Sequence, residues 1–121
     1  MTASRAIPLH VHGALEVLFA PLLLVAPFAL GFATPAGIVS VAIGVLLLGL
    51  GLSIYPEGER GSLPLSAHAG FDYLLAGVLI VAGIVVGAAT NDPTASIFMV
   101  GFGSVHLALT TSTRFSRPLG A

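Results

Sequence analysis

Three histidines and two carboxylates stand out in a chain that is otherwise almost entirely apolar. His12 and Glu16 are four residues apart, as are His68 and Asp72, and that spacing puts each pair on one face of a helix. Imidazole and carboxylate together suit a transition metal such as iron or zinc, and histidines on facing helices can ligate a haem or another tetrapyrrole. The candidate cofactor ligands are His12, His68 and His106, and the candidate metal ligands are His12, Glu16, His68, Asp72 and His106.

Two other interpretations of these residues stay open. In the structural one, the helix dipole favours a carboxylate near the start of a helix, while an interfacial imidazole reaches water or pairs with the neighbouring acid. It predicts no cofactor, and a stability change of no more than about 1 kcal/mol for Glu16→Gln or Asp72→Asn. The other is proton or cation handling. Di-iron bundles use Glu-x-x-His, which this chain lacks, and no Ser or Thr stands at a recognisable triad spacing, so we predict no catalytic residue and no enzyme.

The composition requires a membrane around these residues. Of the 121 residues, 56% are hydrophobic and 7% are charged, whereas about a quarter are charged in an ordinary soluble domain. So few charged side chains cannot provide a solvated surface, and the apolar surface must therefore meet the lipid bilayer. A net charge of -1 without a basic cluster argues against nucleic acid, and the lack of Cys excludes disulfides and thiolate metal sites.

Four apolar segments approach the roughly 20 residues that a membrane crossing needs. Thr34 before Pro35 and Asp92 before Pro93 predict helix starts, because a capping side chain precedes a proline at the first helical position. The predicted fold class is all-α, a polytopic membrane protein with one domain over 1–121 and a polar loop over 56–66. The predicted transmembrane helices cover about 12–32, 36–55, 69–89 and 94–112.

The basic residues fall on one side of this topology. All of them are arginines, and the two short turns between helices carry none. The positive-inside rule therefore predicts that both termini and the 56–66 loop are cytoplasmic, in the cytoplasmic membrane of a prokaryote. A cleaved signal peptide is a weaker interpretation of the first segment, since His10, His12 and Glu16 stand where a basic region is expected. The arginines are Arg5, Arg60, Arg114 and Arg117.

The chain also matches itself when it is shifted by 56 residues. The shift pairs His12 with His68 and Glu16 with Asp72, and it pairs the turn residue Gly31 with Gly87. We predict two tandem hairpin repeats, about 12–55 and about 68–112, related by a pseudo-two-fold axis along the membrane normal. After the turn the shift grows to 58, so that Pro35 pairs with Pro93.

Residues 15–32, LEVLFAPLLLVAPFALGF, resemble the SPW-repeat family of small integral membrane proteins. Ala-Pro-Phe at 26–28 stands where the family has Ser-Pro-Trp, and Leu-Gly-Phe follows at 30–32. The second repeat keeps less of the motif, with Ala-Gly-Ile at 82–84. The resemblance implies a small integral membrane protein built of two-helix units, and it implies no activity or catalytic residue.

Prolines and small residues within the helices predict how the helices pack. Pro21 and Pro27 each remove a backbone hydrogen bond, and in lipid a neighbouring helix must satisfy the freed carbonyl. Small residues let helix backbones approach closely, either within the bundle or between copies of the chain. The predicted packing residues are Gly37, Ser40, Gly44, Gly83 and Gly87.

Three functions remain open at this point. The leading one is a non-enzymatic accessory or assembly subunit that packs against larger membrane partners, because the chain is small and its loops are short. The second is a membrane subunit that binds haem, another tetrapyrrole or a transition metal through the His and acid residues. The third is a small proton- or cation-coupled transporter or channel. The sequence leaves open whether the chain is a monomer, a homo-oligomer or part of a complex.

Overall fold

A computed structural model of the chain describes residues 5–54 and 63–116. Each of its four helices is long and apolar enough to cross a membrane, and the part of the chain that is described contains no strand beyond an isolated bridge between Ile7 and Thr113. The predicted all-α, four-helix membrane fold is confirmed. The helices are α1 (Leu9–Ala29), α2 (Thr34–Leu52), α3 (Leu65–Ala89) and α4 (Pro93–Thr111).

Prolines set the starts of the two longer helices. Pro8 and Pro64 immediately precede α1 and α3 in an extended conformation, so both helices begin a few residues earlier than predicted. A proline at this position suits a helix start, because its missing N–H would have no partner in the first turn. α1 also ends earlier than predicted, since Gly31 adopts a φ of +68°, which a helix cannot continue through.

The Asp92 carboxylate bonds to the backbone of both short turns, the one between α1 and α2 and the one between α3 and α4. Asp92 caps α4 as predicted, accepting a bond from the Ala95 N–H at 3.1 Å. The predicted cap at Thr34 is wrong, because Thr34 lies inside α2 and its N-cap, Ala33, has no side-chain bond of its own. The Ala33 N–H donates instead to Asp92 at 2.7 Å. Asp92 thus satisfies donors at the starts of both α2 and α4.

The two hairpins, α1 with α2 and α3 with α4, make matching close contacts. A Cβ built on Gly44 would lie 3.0 Å from the Leu23 Cβ, and a Cβ on Gly103 would lie 3.0 Å from the Leu79 Cβ. Leu23 and Leu79 are 56 residues apart, as predicted for the first helices of the two hairpins. Gly44 and Gly103 are 59 apart, so the buried faces of α2 and α4 correspond with a shift of 59 and not 58.

The pairing of Gly31 with Gly87 is also wrong. Gly87 lies inside α3, where an added Cβ would collide with the Ser96 hydroxyl. Asn91, with a φ of 52°, takes the left-handed position that Gly31 takes in the first turn. α3 therefore continues about one helical turn beyond the point that corresponds to the end of α1. The gene-level duplication itself stays a prediction.

The small residues picked out in the sequence lie between the helices of each hairpin. Ser40 donates a hydrogen bond of 2.7 Å to the carbonyl of Leu23, which Pro27 leaves without its usual N–H partner. The expectation that a neighbouring helix satisfies this carbonyl is confirmed. Ser96 donates a matching bond of 2.7 Å to the carbonyl of Gly83. A Cβ on Gly37 would meet the Pro27 ring at 3.5 Å.

The interior and the exterior of the bundle differ as a membrane requires. Large side chains on α2, α3 and α4 remain exposed, among them Ile38, Val81 and Ile97, and these faces suit lipid contact. The isolated bridge brings Arg5 and Arg114 to the same end of the bundle, while Arg60, Arg117 and residues 55–62 of the predicted loop lie outside the described residues. The cytoplasmic orientation stays a prediction. The largest apolar side chains that fill the interior are Leu23, Leu47, Leu79 and Met99.

Candidate functional site

The five predicted ligands meet inside the bundle, near the end that carries the chain termini. Glu16 and Asp72 are each the eighth residue of their helix, about 10 Å from its start at 1.5 Å per residue. Neither lies in the first turn, so the helix dipole does not account for them. All five are buried, so of the two expected surroundings for the imidazoles, water or the neighbouring acid, His12 and His68 have the acid. The exposed fractions are 0% for His12, 3% for Glu16, 1% for His68, 0% for Asp72 and 5% for His106.

Asp72 is the centre of this group of five, which we call the His/acid cluster. Its Oδ2 lies 2.9 Å from Nε2 of His12 and 3.1 Å from Nε2 of His68. Its Oδ1 lies 3.2 Å from Nε2 of His106. Two imidazoles from different hairpins therefore reach the same oxygen atom, and a third reaches the other.

Glu16 occupies the corresponding place in the first hairpin but is less fully bonded. Its Oε1 lies 3.2 Å from Nε2 of His68. Its Oε2 is buried and has no hydrogen-bond partner among the described residues, although Nε2 of His12 lies 3.3 Å away and Nε2 of His106 lies 3.8 Å away. A buried carboxylate oxygen without a donor is costly, so this atom requires an explanation.

Two hydroxyl groups determine whether Nδ1 of His12 and Nδ1 of His68 carry a hydrogen. The Thr113 hydroxyl donates to the carbonyl of Leu109 at 2.6 Å and lies 2.8 Å from Nδ1 of His12. Ser53 donates to a backbone carbonyl in the same way, also at 2.6 Å, and lies 3.4 Å from Nδ1 of His68. A hydroxyl has one hydrogen, so both hydroxyls must accept from the imidazole, and each Nδ1 carries a hydrogen.

The Nε2 atoms of these two rings then face carboxylate oxygens. A neutral imidazole with its hydrogen on Nδ1 has a lone pair on Nε2, and a carboxylate oxygen also offers only lone pairs. Such atoms, 2.9 to 3.3 Å apart for His12 and 3.1 to 3.2 Å apart for His68, repel one another unless a positive charge lies between them. That charge is either an additional proton or a metal ion.

The spacing of these atoms is close to that of a coordination shell, and the shortest separations, 2.9 and 3.1 Å, would have to lengthen by a few tenths of an ångström around an ion. His12, Glu16, His68 and Asp72 each offer one ligand atom, and these atoms all lie within 4.8 Å of one another. Ligands bound at about 2.0 to 2.1 Å lie roughly 3.3 to 3.4 Å apart around a tetrahedral ion. The imidazoles of His12 and His68 both approach the carboxylates of Glu16 and Asp72, which leaves no space for a tetrapyrrole between the rings. The arrangement therefore favours a metal ion over haem.

The segment that follows α4 covers the cluster at the terminal end. The Phe115 ring lies against His12 and His68, with ring centroids 5.1 and 5.9 Å away. Ile7 holds this segment by donating to the carbonyl of Ser112 at 2.9 Å and by accepting from the Arg114 N–H at 3.0 Å. The Phe115 ring thus covers His12 and His68, and two backbone hydrogen bonds to Ile7 hold the segment that carries this ring.

Sequence reasoning missed Thr113, Ser53 and Phe115. Thr113 bonds the backbone at the end of α4, as hydroxyl residues at helix ends commonly do, and its hydroxyl also lies 2.8 Å from Nδ1 of His12. The sequence contains no signal for the contact between residues 101 positions apart. Tyr73 follows Asp72 in the sequence but is 42% exposed, on the outer side of α3.

Comparisons with known proteins found no relative of this chain. No family model, no curated protein and no solved structure matches the chain. Membership of the SPW-repeat family therefore stays a prediction that rests on the motif at residues 26–32.

Proposed function

We propose that this small integral membrane protein holds a divalent first-row transition metal ion in its His/acid cluster. The supporting observation is the facing lone pairs: with hydrogens on the Nδ1 atoms of His12 and His68, their Nε2 atoms converge on carboxylate oxygens 2.9 to 3.3 Å away. A metal ion takes up these lone pairs and turns repulsion into coordination.

The surroundings of the imidazoles support the same assignment. A metal-binding histidine donates its second N–H to an acceptor that fixes the orientation of the ring, and the hydroxyls of Thr113 and Ser53 are acceptors of this kind. His106, with Nε2 3.2 Å from Asp72, either completes the ligand set or orients Asp72. Imidazole and carboxylate without thiolate favour iron, manganese or zinc.

The interior of the bundle argues against a channel through the cluster. Beyond the cluster, Leu23, Leu47, Leu79 and Met99 are fully buried and fill the space between the helices. Among the described residues, these large apolar side chains lie between the cluster and the turns. The proposed role is therefore to hold the ion, and it is compatible with the accessory subunit that the small size predicts. A larger complex, a homo-oligomer and the absence of an enzymatic activity stay predictions.

Metal titration tests the proposal. The purified protein is stripped with a chelator in detergent and titrated with Co²⁺, whose visible absorption reports its coordination, and Zn²⁺ and Mn²⁺ are then tested as competitors. We expect stoichiometric binding with release of protons, because the ligands must be deprotonated. His12→Gln removes a direct ligand. Loss of an orienting partner lowers metal affinity by about 10–100-fold, and we expect His12→Gln to lower it by more.

The neighbouring histidine offers a matched control. His10 lies on the same helix, is exposed and is outside the cluster, so His10→Gln should bind as the wild type does. Equal Co²⁺ binding by the wild type and by His12→Gln, or no binding by either, would overturn the proposal.

A further inference from the structure

The strap, residues 112–116, follows α4 directly at the end of the bundle that carries the chain termini. Its side chains alternate in burial: Thr113 is buried and Phe115 is half-buried, whereas Arg114 and Ser116 are exposed. This alternation is typical of an extended segment with one face turned inward. The inward face lies on the His/acid cluster, and the outward face carries an arginine and a serine.

Both inward side chains of the strap contact the same proposed ligand. The Thr113 hydroxyl lies 2.8 Å from Nδ1 of His12. The centroid of the Phe115 ring lies 5.1 Å from that of His12 and 5.9 Å from that of His68. One short segment therefore orients one imidazole and covers two, and its aromatic ring blocks the approach to both from this side.

The other directions from the cluster do not suit an ion. Among the described residues, large apolar side chains lie between the cluster and the turns. The outer faces of the helices suit lipid, in which a charge is costly. Water is nearest at the terminal end, because the two acids of the cluster lie about 10 Å from the starts of α1 and α3 at 1.5 Å per residue.

Few backbone bonds hold the strap in place. The Ile7 N–H donates to the Ser112 carbonyl at 2.9 Å, and the Arg114 N–H donates to the Ile7 carbonyl at 3.0 Å. These bonds form an isolated bridge and not a sheet. Segments with few contacts and exposed backbone bonds open far more readily than packed helices do. The strap can therefore lift while the four helices stay folded.

We propose that the strap is the gate of the His/acid cluster. The ion enters from water at the terminal end, and leaves the same way, when the strap lifts Phe115 off His12 and His68. This inference rests on the proposed metal site and names the route to it. Phe115 covers the rings and is not a ligand, so it governs the rate of ion exchange, whereas Thr113 orients His12 and governs affinity.

The rates of Co²⁺ exchange test the gate. The protein in lipid nanodiscs is loaded with Co²⁺ and mixed with excess EDTA to give the release rate, and the stripped protein is mixed with Co²⁺ to give the binding rate. In Phe115→Ala we expect both rates to rise about tenfold, the order expected for the loss of two ring contacts. Their ratio, the Kd, should stay within a few fold of the wild type.

Two further variants separate the cover from other effects of substitution. Phe28→Ala makes the same change at a position near the other end of α1 that is 81% exposed, and it should leave both rates unchanged. Thr113→Val keeps the size of the side chain but removes the hydroxyl that accepts from His12, so the Kd should rise about 10–100-fold. If Phe115→Ala does not fold, Ile7→Pro, which removes the N–H that donates to Ser112, is expected to raise the same two rates.

Access of water to the imidazoles provides a measurement that needs no metal. Exchange of the imidazole C2 hydrogen for deuterium, located by tandem mass spectrometry of the stripped protein, reports how readily water reaches each ring. The exposed His10 serves as the internal reference. We expect His12 and His68 to exchange faster in Phe115→Ala than in the wild type, and His10 to exchange equally in both.

The outcomes that contradict the gate are distinct from failure of the metal site. Unchanged Co²⁺ rates in Phe115→Ala would overturn the gate. Faster release without faster binding would also overturn it, because Phe115 would then be a contact that holds the bound ion. If the wild type binds no Co²⁺, the metal site fails, and the deuterium exchange decides whether the strap controls access to the cluster. Equal exchange of His12 and His68 in both proteins would show that it does not.

Discussion

Glu16 and Asp72 hold corresponding positions in the two hairpins, yet they are bonded differently. Asp72 has imidazole nitrogens at 2.9, 3.1 and 3.2 Å, so each of its oxygens has a close nitrogen neighbour. Glu16 has one bonded oxygen and one without a partner among the described residues. Equivalent positions in similar hairpins thus hold one acid with imidazoles close to both oxygens and one acid with an oxygen that lacks a partner among the described residues.

The cause lies in how the hairpins meet. α2 and α3 contact each other more extensively than α1 and α4 do, so the bundle is tight on one side and open on the other. On the open side, a cavity of about 380 Å³ lies between α1 and α4, and Glu16 is one of the residues that line it. The comparison indicates that Asp72 connects the three imidazoles, whereas Glu16 lies on the more open side of the bundle with one oxygen that lacks a partner among the described residues.

Neutralising Asp72 should have the largest effect. Asp72→Asn removes the charge that three imidazoles face, so we expect metal affinity to fall more than about 100-fold, beyond the loss for an orienting partner. Without metal, removal of one partner from a buried charge pair is expected to cost about 3–5 kcal/mol of unfolding free energy. This cost exceeds the limit of about 1 kcal/mol that the structural interpretation of the sequence predicts for Asp72→Asn, because Asp72 is buried.

Metal titration and chemical unfolding in mixed detergent measure these two effects. Asp92→Asn is the matched control, because it makes the same change at the opposite end of the bundle and Asn also caps helices well. Normal metal affinity in Asp72→Asn would contradict the central role given to this residue.

Neutralising Glu16 should have a smaller effect on the same measurement. Glu16→Gln removes a negative charge but keeps an amide oxygen that can still face the ion, and Glu16 contacts fewer imidazoles than Asp72 does, so metal affinity should fall by only about tenfold, the size of the loss for an orienting partner. The two variants are compared in one Co²⁺ titration series. Equal losses in Glu16→Gln and Asp72→Asn would mean that the two hairpins use their acids equally, and the asymmetry would have no functional meaning.

Most of the fold could be predicted because lipid constrains it so strongly. Segments of about 20 apolar residues must form helices that satisfy their own backbone, and the prolines at 35 and 93 mark helix starts to within a residue. The helix ends were harder. The predicted end of the third helix at about residue 89 agrees with the structure, whereas α1 ends at Ala29 and not at the predicted residue 32, because Gly31 adopts a φ of +68°.

The cluster could be predicted in membership but not in geometry. Rare polar residues in an apolar chain tend to face one another, and the spacing of His12 with Glu16 and of His68 with Asp72 placed each pair on one helix face. Which oxygen is shared, which is left without a donor, and which hydroxyl orients each ring depend on side-chain packing between distant segments. Thr113 and Ser53 illustrate this, since single hydroxyls at helix ends are common and uninformative.

The hairpin comparison extends to a pair of serines, where the effects should be smallest. Ser40 bonds a carbonyl that Pro27 has deprived of its N–H, whereas Ser96 bonds that of Gly83, whose helix continues through Gly87 with an N–H four residues on. Ser40→Ala should therefore cost about 1–2 kcal/mol of unfolding free energy, near the upper end for polar contacts in membrane helices, and Ser96→Ala should cost less, about 0.6 kcal/mol. Unfolding of both variants in mixed detergent measures the difference, and neither change should alter Co²⁺ binding. A larger loss in Ser96→Ala would show that the proline-freed carbonyl is satisfied in another way and that the two hairpins are more alike in their packing than in their acids.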